Sequence, residues 1–295
     1  MISVVNNNIL IKEKLAAYYE LLKPRLSGLV VFSTAFGYML ANRSQLDWIA
    51  FASFLLGGFL ISGSSVTINQ IIEEDLDKPM SRTKSRPLPT ERLSKLEATV
   101  FAVVTAIVGS ALIYVSSNVL TLVLSLASLI LYAFIYTPMK RVGPIAVFIG
   151  AIPGALPPLI GWVAATGGIS HEALIIFGIQ FIWQFPHFWA IAWVADEDYK
   201  MAGFKLLPSG GKKDLNTAIN IMIYTLFLLP LGLLPSYFGL TGLTSGVVVT
   251  VCGVLFLAQT FQLMKDNSKQ SARRIMFGSF MYLPIVQIVF LIDKI

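Results

Sequence analysis

The chain has 295 residues, of which 56% are hydrophobic and only 13% charged, and its mean hydropathy is +0.74. A soluble domain carries about 25% charge, so this balance excludes a soluble globular protein and predicts a single membrane-embedded domain over 1–295. The lipid bilayer is the expected partner, and the net charge of +6 needs no nucleic acid to account for it, because the cytoplasmic loops of membrane proteins are rich in Lys and Arg.

Residues 1–20 are polar and contain Lys12, Lys14 and Glu20. They predict a cytoplasmic tail to about residue 24, with no cleavable signal peptide. Leu22-Lys23-Pro24-Arg25 then opens the first span as an interfacial anchor with a phosphate contact as its second reading. Windows of about 20 apolar residues predict nine transmembrane helices, at about 26–42, 48–72, 96–115, 118–137, 144–165, 172–194, 217–236, 241–263 and 274–292. Two long polar segments, about 73–95 and 195–216, interrupt them. With the N-terminus inside, every Lys and Arg except Arg43 and Lys294 falls on the cytoplasmic side. That asymmetry supports an odd number of spans, a C-terminus outside and both long loops inside. The lone cysteine, Cys252, sits in an apolar run and is read as packing.

The first loop carries the most chemistry. Asn69, Glu73 and Asp77 are spaced i, i+4, i+8 and share one helix face. A helix from Trp48 to Asp77 is about 45 Å long, against about 30 Å of hydrocarbon, so its acidic end emerges at the interface or in a funnel between helices. Pro79 stops the helix, which leaves carboxylates at the negative end of the dipole, where a cation is needed. Divalent metal held by oxygen atoms of Asn69, Glu73 and Asp77 supplies it, with Asp75 on the far side. Arg82, Lys84 and Arg86 come next and suit diphosphate oxygens. The bland alternative is a solvated loop that only fixes topology; it accounts for the bases but not for acids on one face.

Lys140 and Arg141 are the charges of the next short loop, read equally as topology anchors or as diphosphate contacts. The Gly- and Pro-rich run 150–162 allows helices to approach closely or break, as around membrane cavities. His187 lies within an aromatic membrane helix, where an ionisable residue marks function more often than packing. Asp196, Glu197 and Asp198 repeat the acidic helix end on the same membrane face, with Lys200 just beyond as a further diphosphate contact. Two such clusters, with Asp196 and Asp198 as the second pair of metal ligands, can hold ions on both sides of one diphosphate.

These residues resemble a known family. Asn69-x₃-Glu73-x₃-Asp77 with Met80-x-Arg82-Thr83-x-x-Arg86-Pro87 is similar to the signature of the UbiA-type intramembrane prenyltransferases. Leu22-Lys-Pro-Arg25, Tyr136-Thr-Pro-Met-Lys-Arg141, Pro157-Pro-x-x-Gly-Trp162, Trp183-Gln-x-Pro-His187 and Asp198-Tyr199-x-x-Ala-Gly203 narrow the resemblance to members that farnesylate heme. Glu73 stands where the family has Asp, and the second acidic cluster is more compact than the family's Asp-x₃-Asp. The resemblance implies an all-α bundle around a central cavity open to the cytoplasm. It also implies transfer of the farnesyl group of farnesyl diphosphate to a vinyl group of heme b with Mg²⁺, on the path to heme A for terminal oxidases. Asn69, Glu73, Asp77 and Asp198 would be the catalytic set, His187 a heme contact, and a downstream heme-modifying enzyme a partner. A phenolic quinone precursor in place of heme is the nearer alternative. A transporter is the more distant one, since transport sites usually sit near the midplane rather than at one face.

Overall fold

The computed structural model describes residues 2–295, with side chains described from residue 11 onward, and the described residues are helical with one isolated bridge, Thr241 to Lys294. The helices are α1 Ile2–Leu21, α2 Pro24–Ala41, α3 Trp48–Ile72, α4 Glu74–Asp77, α5 Lys95–Ser116, α6 Val119–Met139, α7 Ile145–Thr166, α8 His171–Val194, α9 Asp196–Met201, α10 Leu215–Tyr237, α11 Leu243–Asp266 and α12 Lys269–Ile292. The polytopic helical class expected from composition holds. Among the described residues, eight helices, α3, α5–α8 and α10–α12, are long and apolar enough to cross a membrane. The remaining predicted span, α2, has 18 residues and is interrupted by buried Ser27, Ser33 and Thr34. The segment expected as a tail is helical as α1, up to Leu21.

Local sequence sets most helix starts. Asp47 caps α3 through Ile49 and Ala50, Asn118 caps α6 through Thr121, and Asp214 caps α10 through Thr217. Ser94 and Glu97 form a reciprocal capping box at α5. Each cap satisfies backbone donors that a helix leaves without partners at its start.

Tertiary packing explains the Gly/Pro run. A Cβ on Gly37 of α2 would overlap the Pro158 carbonyl, and one on Gly161 of α7 would overlap the Thr34 carbonyl, so the two backbones touch through paired glycines. Pro157 and Pro158 each deprive a carbonyl one turn back of its helical donor. Those carbonyls find side chains instead: Ser128 donates to Pro153 O at 3.4 Å and Gln180 donates to Gly154 O at 2.9 Å. Gln287 of α12 then donates to Gln180 Oε1 at 2.9 Å and to Ser33 at 3.1 Å, tying α2, α7, α8 and α12 together through buried polar groups. At the opposite end from the long loops, Lys294 donates to the Met39 and Asn42 carbonyls at the end of α2, and Arg43 donates to the Ile295 carbonyl. The two bases left outside by the charge rule therefore hold the chain's end.

The loop between α4 and α5 is ordered rather than solvated. Leu88 and Leu93 are 2% exposed and pack with Ala17, Leu21 and Ala98 in a small second core. Arg92 binds both Glu20 carboxylate oxygens, at 2.9 and 2.6 Å, and the Ser85 carbonyl at 2.8 Å. Helix α1 thus acts as the backing of the loop that carries the candidate site.

Candidate active site

The helix predicted to run through Asp77 turns at Glu73, whose backbone (φ −96°, ψ 7°) separates α3 from α4. The i→i+4 bonds continue across the turn, with Glu73 N–H donating to Asn69 O at 3.0 Å and Asp77 N–H to Glu73 O at 2.8 Å. All three side chains therefore stay on one wall. They are buried, at 2%, 4% and 0% exposure, and line a cavity of about 150 Å³ among the ends of α2, α3 and α6 and the two long loops.

The wall opposite is cationic. Lys140 binds both Glu73 oxygens, at 2.9 and 3.1 Å, and Arg86 binds one oxygen of Asp77 at 2.5 Å. Asp77 Oδ1, in the same buried carboxylate, has no hydrogen-bond partner among the described residues. Lys23 and Arg82 also line the cavity, so four bases face two acids. Burial and the neighbouring Arg86 and Lys140 push the Lys23 ammonium well below the usual lysine range. Burial acts the same way on Lys140, but the Glu73 carboxylate more than offsets it and raises that pKa. Lys23 adopts a left-handed backbone (φ 44°, ψ 65°) immediately before Pro24, which turns it from α1 into α2.

Helix α6 shapes the remaining wall. Its last turns widen to π geometry over Leu131–Tyr136, and Thr137 donates to Tyr132 O at 2.9 Å while accepting from Asn69 at 3.0 Å. The extra residue in the turn rotates the rest of the helix end, bringing Tyr132, Tyr136 and Lys140 to the cavity together. Lys140 lies 4.9 Å from the Tyr136 ring centre and 5.9 Å from that of Phe204. Gly150 makes room for Tyr136, since a Cβ there would sit 2.6 Å from its ring.

Of the residues singled out from sequence, Asn69, Glu73, Asp77, Arg82, Arg86 and Lys140 come together here. Lys84 and Arg141 are exposed and do not line the cavity. Asp196 and Asp198, expected as a facing pair of metal ligands, do not line it either. Asp196 pairs with Lys200 at 2.9 Å and Lys213 at 3.0 Å, which consumes the Lys200 ammonium as well. Burial raises the Asp196 pKa, but these two lysines outweigh it and lower it overall. Asp198 accepts from the Ser81 hydroxyl at 2.7 and 3.0 Å and from its backbone N–H at 3.2 Å, and those bonds depress its pKa. Among the described residues no three of His, Cys, Asp and Glu form a ligand cluster. His187 is also elsewhere: its Nδ1 meets the Ser279 hydroxyl of α12 at 2.9 Å and its ring stacks on Trp183, centres 4.4 Å apart. Tyr132, Tyr199 and Phe204 belong to the cavity without having been marked as site residues. Tyr199 stands in the motif Asp198–Gly203, whereas Tyr132 and Phe204 lie just outside the quoted motifs; aromatic residues abound in membrane helices and only proximity distinguishes these.

The arrangement suits a divalent ion and a polyanion side by side: hard oxygen donors on one wall, one of them unsatisfied, and an excess of cations on the other. Residues 30–283 match the UbiA prenyltransferase family, and the chain belongs to that family. It is 54% identical to the protoheme IX farnesyltransferase of Cytophaga hutchinsonii over 95% of this chain and 98% of that one. The protein of the same description from Christiangramia forsetii is 42% identical over 95% of this chain and 94% of its own. Among solved structures, a digeranylgeranylglyceryl phosphate synthase superposes with a TM-score of 0.80 at 21% identity, covering 95% of this chain and 98% of that one. A UbiA homologue from Archaeoglobus fulgidus, bound to DMAPP and Mg²⁺, superposes with a TM-score of 0.69 at 17% identity, over 94% and 96%. These structural likenesses establish the common fold.

Proposed function

We propose that this protein transfers the farnesyl group of farnesyl diphosphate to a vinyl group of heme b, giving heme O and diphosphate. The observation that carries the reading is the buried Asp77, with one oxygen unpartnered, in a cavity shared with Lys23, Arg82, Arg86 and Lys140. The 54% identity to a protoheme IX farnesyltransferase supports heme as acceptor. Asn69, Glu73 and Asp77 would hold Mg²⁺, because the free Asp77 oxygen is a hard donor with room beside it. When bound, the ion supplies positive charge against the departing diphosphate.

The chain's own residues do the rest. Arg82, Arg86 and Lys140 draw the diphosphate oxygens and stabilise the charge that grows there as the allylic C–O bond breaks. Tyr132, Tyr136, Phe204 and Leu206, which line the same cavity, would flank the allylic carbon and shield the carbocation from water. The terminal vinyl carbon of heme forms the new C–C bond; water then adds to the adjacent carbon and loses a proton, giving the hydroxyl of the hydroxyethylfarnesyl group. We place heme against α8, with Nε2 of His187 as its contact. Its Nδ1 is engaged by Ser279, and metal-bound histidines generally anchor the second ring nitrogen in this way.

The whole chain, 1–295, acts as one domain of the cell membrane in this reading. Helix α2, packed against α7, crosses as a ninth span, with the N-terminus and cavity mouth cytoplasmic and the C-terminus outside, as the distribution of Lys and Arg favours. A heme-modifying enzyme would take the product onward. Mass spectrometry of hemes from cells expressing the protein tests the proposal. A heme b derivative heavier by farnesol is expected, and its absence from cells with full heme and prenyl donor supply overturns the assignment.

A further inference from the structure

We propose that Asp198 and Tyr199 form a two-point clamp that positions Arg82, so that the second acidic segment serves the site through hydrogen bonds to the first loop rather than through metal. The contacts run in register. Asp198 accepts the Ser81 hydroxyl proton, shared between its two oxygens at 2.7 and 3.0 Å, and the Ser81 backbone N–H at 3.2 Å. The next residue, Tyr199, accepts from the next residue, Arg82, at 3.4 Å, and its ring lies 5.7 Å from the guanidinium carbon. Two consecutive residues of one loop thus grip two consecutive residues of the other.

The need for such a grip arises from where Arg82 sits. Ser81 and Arg82 lie on an exposed turn, whereas Arg86 and Lys140 are fixed by buried carboxylates of their own. A long side chain on an exposed turn samples many rotamers, so a base without an acidic partner reaches the cavity reproducibly only if something else orients it. Asp198 fixes the backbone from which Arg82 projects, and Tyr199 supplies an aromatic face and an acceptor that leave the guanidinium's other N–H groups free. The same contacts engage both oxygens of the Asp198 carboxylate, which does not line the cavity shared by Asn69, Glu73 and Asp77.

This rests on reading Arg82 as a diphosphate-binding residue, and the test separates the two claims. Steady-state kinetics with farnesyl diphosphate would be measured on the purified full chain in detergent, with Mn²⁺ binding followed by electron paramagnetic resonance. Arg82→Ala is expected to raise the donor KM about tenfold, the loss of one charge-assisted contact. Ser81→Ala and Asp198→Ala are expected to raise the same KM severalfold with kcat little changed. Asp198→Asn, which keeps an acceptor for Ser81, should recover most of the loss. Adding Asp198→Ala to Arg82→Ala should cost nothing further, and Mn²⁺ affinity should match the parent throughout. If Arg82→Ala leaves the KM unchanged, the reading of Arg82 fails. If it raises the KM but Ser81→Ala and Asp198→Ala do not, the clamp fails. Loss of Mn²⁺ in Asp198→Ala with Ser81→Ala unaffected would make Asp198 a metal ligand and overturn the proposal. A thermal melt accompanies each variant, and Ser81→Ala, which deletes one exposed oxygen, carries the test should Asp198→Ala fail to fold.

Discussion

Arg86 holds one oxygen of Asp77 at 2.5 Å, while the other oxygen of that fully buried carboxylate has no partner among the described residues. An acceptor buried in this way costs free energy in the free protein, which a bound cation would recover. Asp77→Ala is therefore expected to bring farnesyl transfer below detection and to weaken Mn²⁺ binding, with the protein still inserted and folded. Product formation by purified enzyme, measured beside Mn²⁺ titration, checks both. Full activity in that variant would remove the metal site from this wall.

Glu73 and Lys140 neutralise one another across the cavity at 2.9 Å. Removing one partner strands the other, a loss of about 3–5 kcal/mol for buried pairs, whereas replacing both can be nearly neutral. Glu73→Gln and Lys140→Met should each lower the melting temperature more than the double variant does. Because the Lys140 pKa is raised in the folded protein, the stability it contributes is complete below the ordinary lysine value. It is lost only as pH rises through the higher folded value. Melting curves at about pH 6 to 9 should thus show no change from this pair.

His187 sits outside the charged cavity, fixed by Ser279 and stacked on Trp183. If it contacts heme, His187→Ala should weaken heme binding in a spectroscopic titration and leave the KM for farnesyl diphosphate unchanged. Equal heme affinity in parent and variant would move the acceptor site elsewhere, and no heme binding by either would favour a phenolic acceptor.

Gly37 and Gly161 let α2 and α7 meet backbone to backbone. A methyl group at Gly37 would collide with a carbonyl, which cannot rotate away as a side chain can. Overpacking of this kind typically costs about 1–3 kcal/mol, so Gly37→Ala should lower the melting temperature in detergent. Gly28→Ala, on the same helix with open space at its Cβ, should leave it unchanged.

Hydropathy and charge by themselves determined the membrane class, eight of the spans and the grouping of both long loops at one end, because the bilayer imposes length and the placement of Lys and Arg obeys a one-dimensional rule. The i, i+4, i+8 spacing likewise put Asn69, Glu73 and Asp77 on one wall before any coordinates, since helical periodicity is local. Helix α1 escaped notice because its residues are polar enough to pass for a tail, and only its packing beneath Leu88 and Leu93 gives it a purpose. The facing partners were decided by tertiary structure alone. Lys140 reaches Glu73 through a π turn that no periodicity announces, and Asp198 faces Ser81 instead of the cavity. Two acidic segments so alike in sequence differ because side-chain direction at a helix end depends on what packs against it. One end is walled in with bases around it and keeps a carboxylate oxygen free; the other meets a neighbouring loop and spends its oxygens there.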